Sequence, residues 1–294
     1  MIGVKGRVIE MADEREEYWR GFNEGIAMLN AAKETEKEAR AFYEDWWNKV
    51  NPDRARRDRA MDWLNFGGGV NSVAILAAVE MKLLPRPDYV VFADTGGEKA
   101  ETYDYMMYFK DISPLPIITI QSKEGRLLDY CDKNNILPQR FMRWCTDRWK
   151  RRPLDRFRKA HGFKDGDKIW IGIAKDEEGR AHRWRNDTDV RFPLLELGWS
   201  RADCIKAIKK VGWCVPAKSG CFFCPFAKLD EFAELKANHP DQWEFLVKLE
   251  KRCLKHLTKC KVKGWYDDKY TLPELLDRKR PETCSGQMCL YCWG

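Results

Sequence analysis

The sequence predicts an α/β fold, with a mainly parallel, twisted sheet carrying helices on both faces. Two observations carry that expectation. Short apolar runs rich in β-branched and aromatic residues, at 62–66, 89–93, 116–120 and 168–173, alternate with helical patterns at 71–83, 98–111 and 146–160. Such alternation returns each strand parallel to the last, with the intervening helices packed on the sheet. Finally, the glycine run Gly67-Gly68-Gly69 and the acidic residue Asp94 both fall at the carboxyl ends of predicted strands, where ligands of open parallel sheets bind.

Taken in order, residues 1–60 read as a charged helical extension. Tyr18, Phe22, Ile26 and Leu29 form one apolar stripe, and Ala39, Phe42, Trp46 and Val50 form another. Asn51-Pro52-Asp53 ends the second helix, and Arg54, Arg56, Arg57 and Arg59 lead into the first strand. This extension is expected to cover one edge of the sheet; a nucleic-acid contact by the basic stretch is the alternative. Residues 61–212 hold the strand–helix alternation, ending in a helix at 201–211 before Gly212. Residues 213–294 form a cysteine-rich helical region. After Pro240 it carries the stripe Trp243, Leu246, Leu249, Cys253 and Leu257.

Bulk properties narrow the class. A chain of 294 residues can bury a full core. It has no apolar signal-peptide core at its start and no apolar run near the ~20 residues of a membrane span, so a soluble, cytoplasmic protein without a membrane partner is expected. Eleven cysteines then point to metal binding or thiol chemistry in a reducing compartment rather than to disulfides. The net charge of +7, from 53 basic against 46 acidic residues, is compatible with a polyanionic partner without requiring one.

The glycine run is the densest chemical signal. Gly67, Gly68 and Gly69, followed by Asn71 and Ser72, stand between a buried strand and a helix N-terminus. Backbone N–H groups there are open to a phosphate, and the helix dipole favours its charge. A plain strand-to-helix turn usually needs only one glycine. The loop lacks the Gly-Lys-Ser/Thr ending of a Walker motif. Asp94, closing the second strand, is either a cap or, beside a phosphate loop, a holder of Mg²⁺ or a ribose hydroxyl. Cys221-Phe222-Phe223-Cys224, between Gly220 and Pro225, has the spacing of a metal knuckle, with a redox dithiol as the alternative. Lys150 and Arg143 are candidates for neutralising phosphate charge. Around them, Arg148, Arg151, Arg152, Arg156 and Arg158 form either a solvated face or a track for a nucleic-acid backbone. Cys131, Cys204, Cys253 and Cys260 read as core or incidental thiols.

Several segments, in order, resemble the phosphoadenosine phosphosulfate (PAPS) reductase family of the PP-loop ATP pyrophosphatase superfamily, whose fold is adenine nucleotide alpha hydrolase-like. Gly67-Gly68-Gly69-Val70-Asn71-Ser72 is similar to the Ser-Gly-Gly-x-Asp-Ser loop, with Gly67 and Asn71 departing from it. Ala93-Asp94-Thr95-Gly96 with Glu101-Thr102 resembles the Asp-Thr-Gly…Glu-Thr segment. Arg143-Trp144-Cys145-Thr146 with Lys150 and Pro153-Leu154 resembles Arg-Cys-Cys…Lys…Pro-Leu. Gly172-Ile173-Ala174 with Asp176-Glu177-Glu178 and Arg183, then Phe192-Pro193-Leu194, then Ser219-Gly220-Cys221 to Pro225, complete the match from about 62 to about 226.

The resemblance implies an adenine nucleotide site using Gly67, Gly68, Gly69, Asn71, Ser72, Asp94 and Thr95, with ATP and Mg²⁺ as cofactors. It implies Cys145, Lys150 and Asp94 as catalytic residues. It also implies a [4Fe–4S] cluster on Cys145, Cys221 and Cys224, with Zn²⁺ as the alternative metal. Trp144 stands where a further cysteine ligand is found in adenylylsulfate reductases of the family. Cys284 is therefore the fourth candidate, with Cys289 or Cys214 as others.

The expected activity is adenylation of an acceptor, DNA or tRNA among the candidates, followed by sulfur transfer. A cysteine desulfurase or sulfide would be the donor. Reduction of PAPS or adenylylsulfate to sulfite is the runner-up, weakened by the missing Glu-Cys-Gly-x-His motif. A non-hydrolysing nucleotide-binding module is the third reading, motivated by Asn71.

Overall fold

The computed structural model describes residues 59–140, 142–184, 186–256, 264–267 and 269–278. The chain divides into two compact units, Met1–Ala60 and Met61–Gly294, and nearly all the described residues belong to the second. The stripes expected within residues 1–58, Arg54, Arg56 and Arg57, Leu257, Cys260, and the tail cysteines Cys284, Cys289 and Cys292 lie outside the described residues.

Five strands form one sheet: β1 (Asp62–Phe66), β2 (Tyr89–Asp94), β3 (Ile117–Gln121), β4 (Lys168–Trp170) and β5 (Val190–Arg191), in the order β3-β2-β1-β4-β5. Every pairing is parallel, with Trp63 of β1 opposite Tyr89 on one side and Ile169 on the other. The expected α/β architecture is therefore present.

Side-chain alternation explains why both faces are covered. Leu64, Phe66, Val90 and Phe92 join a core with helix α1 (Val70–Glu80), with Phe109 of α2 (Ala100–Ile112) and, further along the chain, with Ile208 in the helix Arg201–Lys210. Trp63 points to the opposite face, where it stacks on Tyr89 at 4.0 Å and meets Phe157 and Phe163 edge-on. Helix α1 is apolar all round and buried along most of its length, as befits a helix enclosed on every side.

The chain continues through α3 (Leu127–Asn134) to a segment expected as one helix at 146–160. The structure is helical throughout that range, from Trp144 to Ala160, but a π-helical turn at Asp147–Arg151 interrupts the α-helical pattern between Trp144–Thr146 and α4 (Arg152–Ala160). Pro153 is the physical reason. It has no N–H for the carbonyl four residues back and its ring crowds that carbonyl, so the ladder widens just before it.

Strand β4 is also shorter than the expected 168–173. At Gly172 an added Cβ would come 3.2 Å from Asn71 and from the Ser72 nitrogen, so the chain leaves the sheet there and runs tightly over the glycine loop. The two residues of β5 are too few to give a period-two signal, and the sequence does not reveal them.

Beyond α5 (Arg201–Lys210), the chain forms the cysteine turn, α6 (Leu229–Asn238), α7 (Pro240–His256) and α8 (Leu272–Asp277). Phe222, Phe223, Phe232, Leu246 and Leu249 share a core with Leu127, Cys131 and Trp149. The described part of the region expected at 213–294 thus packs on α3 and the 144–151 segment. Buried Glu250 organises its end by accepting from the backbone nitrogens of Trp265 (3.0 Å) and Leu272 (3.0 Å).

Candidate functional site

The glycine loop lies at the carboxyl end of β1 and opens α1. Gly67 N–H donates to Ser72 Oγ (3.3 Å), and the Ser72 hydroxyl donates to the Gly69 carbonyl (3.0 Å). Ser72 therefore braces the loop from within. Gly68 sits at φ +67°, a conformation that costs a Cβ-bearing residue about 1–2 kcal/mol. A Cβ at Gly67 would meet nothing within 4 Å, so that side of the loop is open. Gly69 caps α1 without any side-chain hydrogen bond, which leaves first-turn N–H groups for a ligand. An anion such as a nucleotide phosphate fits this arrangement.

Asn71 engages the segment that leaves β4. Its Nδ2 donates to the Gly172 carbonyl and to Glu177 Oε2, both at 3.1 Å. Glu177 in turn pairs with Arg180 at 2.8 Å.

At the end of β2, Asp94 is already engaged. Its Oδ1 accepts from Gly96 N (2.8 Å) and from the Tyr103 hydroxyl (2.7 Å), and its Oδ2 accepts from Gln121 Nε2 (3.1 Å). The carboxylate thus shapes the turn after β2. Burial, with the Asp94 contact next, pushes the Tyr103 hydroxyl up, keeping it a donor. For Mg²⁺, the donor set is one carboxylate already holding three protein donors, so Asp94 fits the ion only as a shared ligand.

Thr95 faces the thiols. Its Oγ1 donates to Glu98 Oε1 (3.0 Å) and lies 3.2 Å from Cys221 Sγ. Cys221 Sγ is 3.8 Å from Glu98 Oε1, and Lys150 Nζ is 3.1 Å from that same oxygen. Backbone bonds from Lys99 N–H to Gly220 (2.9 Å) and from Phe222 N–H to Gly97 (3.1 Å) join the cysteine turn to the β2–α2 turn. Gly69 closes the assembly, since a Cβ there would lie 2.6 Å from Ser219 Oγ. The turn carrying Cys221 is therefore seated on the glycine loop.

Electrostatics follow from this enclosure. Burial, then the Glu98 carboxylate, push the Cys221 thiol well above its ordinary value, with Lys150 opposing them. Cys145 is raised by burial, with Cys224 adding to the rise and the Thr146 hydrogen bond opposing it. Burial works against the Lys150 ammonium, but Glu98, then Cys221, outweigh it and hold its pKa above the ordinary lysine range.

Cys145, Cys221 and Cys224 pack against one core together, with Cys224 an electrostatic neighbour of both others. In kind, three thiols suit a cluster or zinc. Among the described residues, however, no group of three or more His, Cys, Asp or Glu side chains is arranged to hold a metal ion. Cys131, Cys204 and Cys253 are buried, as expected of core thiols.

The arginine run is only partly committed to local partners. Arg148 pairs with Glu124 and donates to the Tyr130 hydroxyl, Arg151 and Arg152 pair with Asp147, and buried Arg158 pairs with Asp155 and donates to Asn65. Glu98 escapes a reading of the sequence, and Glu177 and Ser219, which stand in the matched segments, have contacts with Asn71 and Gly69 that are not legible there. Glu98 looks like a solvated charge near a helix start, and only its burial reveals it. Among the described residues, no helix is long and apolar enough to cross a membrane.

No family model matches the chain. It is similar to two proteins of Methanocaldococcus jannaschii. Uncharacterized protein MJ0066 is 29% identical over 196 residues, which cover 61% of this chain and 39% of that protein. Uncharacterized protein MJ0973 is 24% identical over 204 residues, covering 64% and 47% respectively. The chain thus spans less than half the length of either relative. Among solved structures it is similar to the U34-tRNA thiolase NcsA from Methanococcus maripaludis with its [4Fe–4S] cluster, at 17% identity and a TM-score of 0.40, covering 77% of this chain and 86% of that one.

Proposed function

We propose that this chain is a PP-loop enzyme of the PAPS reductase type that binds ATP at Gly67–Ser72, adenylates an acceptor and transfers sulfur at the Cys145, Cys221 and Cys224 thiols. The observation that carries the reading is the seating of the cysteine turn on the glycine loop, with Gly69 against Ser219 and Cys221 beside Thr95. Proximity of this kind lets an activated acceptor meet a sulfur nucleophile without diffusing away.

The chemistry balances in two displacements. An acceptor oxygen attacks the α-phosphorus of ATP and expels pyrophosphate. A sulfur nucleophile then attacks the acceptor atom bearing that oxygen, and AMP leaves with the oxygen. Open N–H groups of the glycine loop hold phosphate oxygens, while Lys150, kept charged by Glu98, stabilises negative charge nearby. Thr95 and Glu98 orient the Cys221 thiol. A bound cluster or zinc would be held by Cys145, Cys221 and Cys224, with Cys284 as the fourth candidate, and would supply a site for the incoming sulfur. The acceptor is proposed to be a nucleic acid, tRNA or DNA, and the donor sulfide or a desulfurase.

Anaerobically purified protein, given ATP, sulfide and tRNA or DNA, should release pyrophosphate and place sulfur in the nucleic acid, read by mass spectrometry. Cys221→Ser should abolish sulfur incorporation while sparing ATP-analogue binding. Replacing Cys145, Cys221 or Cys224 with Ala should lower bound iron and sulfur transfer together, and Cys131→Ala should change neither. Sulfite production from PAPS would favour the reductase reading instead.

A further inference from the structure

Asn71 occupies the position where the resembled loop carries an acid, and its surroundings explain why it cannot be one here. Both groups that face Nδ2, the Gly172 carbonyl and the Glu177 carboxylate, are pure acceptors at 3.1 Å. Only the nitrogen of the amide can face them, which leaves Oδ1 buried with no hydrogen-bond partner among the described residues. A carboxylate at position 71 would set its oxygens against a carbonyl and a second carboxylate. A Cβ at Gly172 would come 3.2 Å from the Asn71 side chain, so the 172–177 segment begins in close contact with the loop. The helical backbone breaks at Glu177 itself (φ −115°, ψ 15°), where the contact with Asn71 is made.

We infer that Glu177 is the carboxylate of the nucleotide site, and that Asn71 is the latch holding it at the glycine loop. The negative charge has moved 106 positions along the chain without leaving the loop. This inference rests on the nucleotide-binding reading and deepens it. A carboxylate beside a bound triphosphate repels it unless a divalent cation lies between them, so Glu177 makes the site selective for the Mg²⁺ complex of the nucleotide. Arg180, paired at 2.8 Å, partly neutralises Glu177 in the free protein. Asn71 thus does not mark an inactive loop.

The test combines thermal unfolding without nucleotide and calorimetric titration with a non-hydrolysable ATP analogue, with and without Mg²⁺, on the full chain. Variants are Asn71→Asp, Glu177→Gln and the two together. Glu177→Gln should keep Tm, because its amide oxygen still accepts from Asn71, yet lose most of an about tenfold gain in affinity brought by Mg²⁺. Asn71→Asp should lower Tm and weaken binding, and adding Glu177→Gln should recover much of the Tm, since an amide at 177 can donate back. An undiminished Mg²⁺ effect in Glu177→Gln, or an unchanged Tm in Asn71→Asp, overturns the inference while leaving nucleotide binding intact. Failure of the unaltered chain to bind the analogue under either condition overturns the nucleotide reading itself, and this inference with it.

Discussion

The Lys150 ammonium lies 3.1 Å from Glu98 Oε1, and the Glu98 side chain is only 1% exposed. This pair ties the 144–151 segment to the β2–α2 turn directly beside Cys221. A charge buried so fully depends on its partner, and breaking such a pair costs more than never having made it.

Lys150→Met should therefore destabilise the protein by about 2 kcal/mol, because the buried Glu98 carboxylate loses this cation, although Lys150 is itself 40% exposed and the Thr95 hydroxyl still donates to Glu98. The double variant Lys150→Met with Glu98→Gln should recover a large part of that loss. Urea unfolding midpoints check both, and a single variant as stable as the parent would show that water reaches Glu98 freely.

Gly67 and Gly68 should separate binding from folding. Gly67→Val has room for its side chain on the open side of the loop, so stability should hold while ATP-analogue affinity falls. Gly68→Val instead forces a β-branched residue to φ +67° beside Met106, and should lose about 2 kcal/mol or more of stability. Parallel calorimetry and thermal unfolding distinguish them, and loss of stability at Gly67 would contradict the open side.

Gly69→Ala places a methyl group 2.6 Å from Ser219 Oγ. It should push the cysteine turn off the glycine loop and slow sulfur transfer more than it weakens nucleotide binding. Ser219→Gly in the same chain should restore transfer by returning the space. A double variant no better than Gly69→Ala would mean that the seating of the turn is irrelevant to transfer.

Glu231 gives a pH signature. Burial raises its carboxyl pKa, but hydrogen bonds from Lys218 and Lys99 (2.5 Å each) and from the Lys228 backbone outweigh that and bring it to about 2. Because the folded value lies below the unfolded one of 4.5, the stabilisation is complete above pH 4.5 and is lost as pH falls toward about 2. Discounted for partial solvent screening, it amounts to about 2 kcal/mol. Glu231→Gln should remove that amount at pH 7 and flatten the acid limb of the stability curve between pH 4.5 and 2. An acid limb as steep as the parent's would assign it to other carboxylates.

How much of the fold and site was legible in the sequence depended on how local each cause is. Apolar periodicity at 62–66, 89–93 and 116–120, and the glycine run after the first of these, act over a few residues, so the parallel sheet and the loop at its carboxyl end could be read directly. The Cys221–Cys224 turn could be named on the same basis, as residue types at a spacing, whereas Cys145 is implied only by the family resemblance of the 143–154 segment. Tertiary packing decided what those residues face. Glu98 meets Lys150 and Cys221 only because the turn after β2 folds under the cysteine turn, a contact spanning 123 positions. Asn71 becomes a latch only because the chain leaving β4 crosses the glycine loop at Gly172. Within the arginine run, Arg158 is buried beside Asp155 and Arg148 is held by Glu124, while Arg151 and Arg152 pair with Asp147 yet stay exposed, a division that composition does not show. Burial and partner choice for a charge are set by the path of the whole chain, and nothing in the neighbouring sequence encodes them.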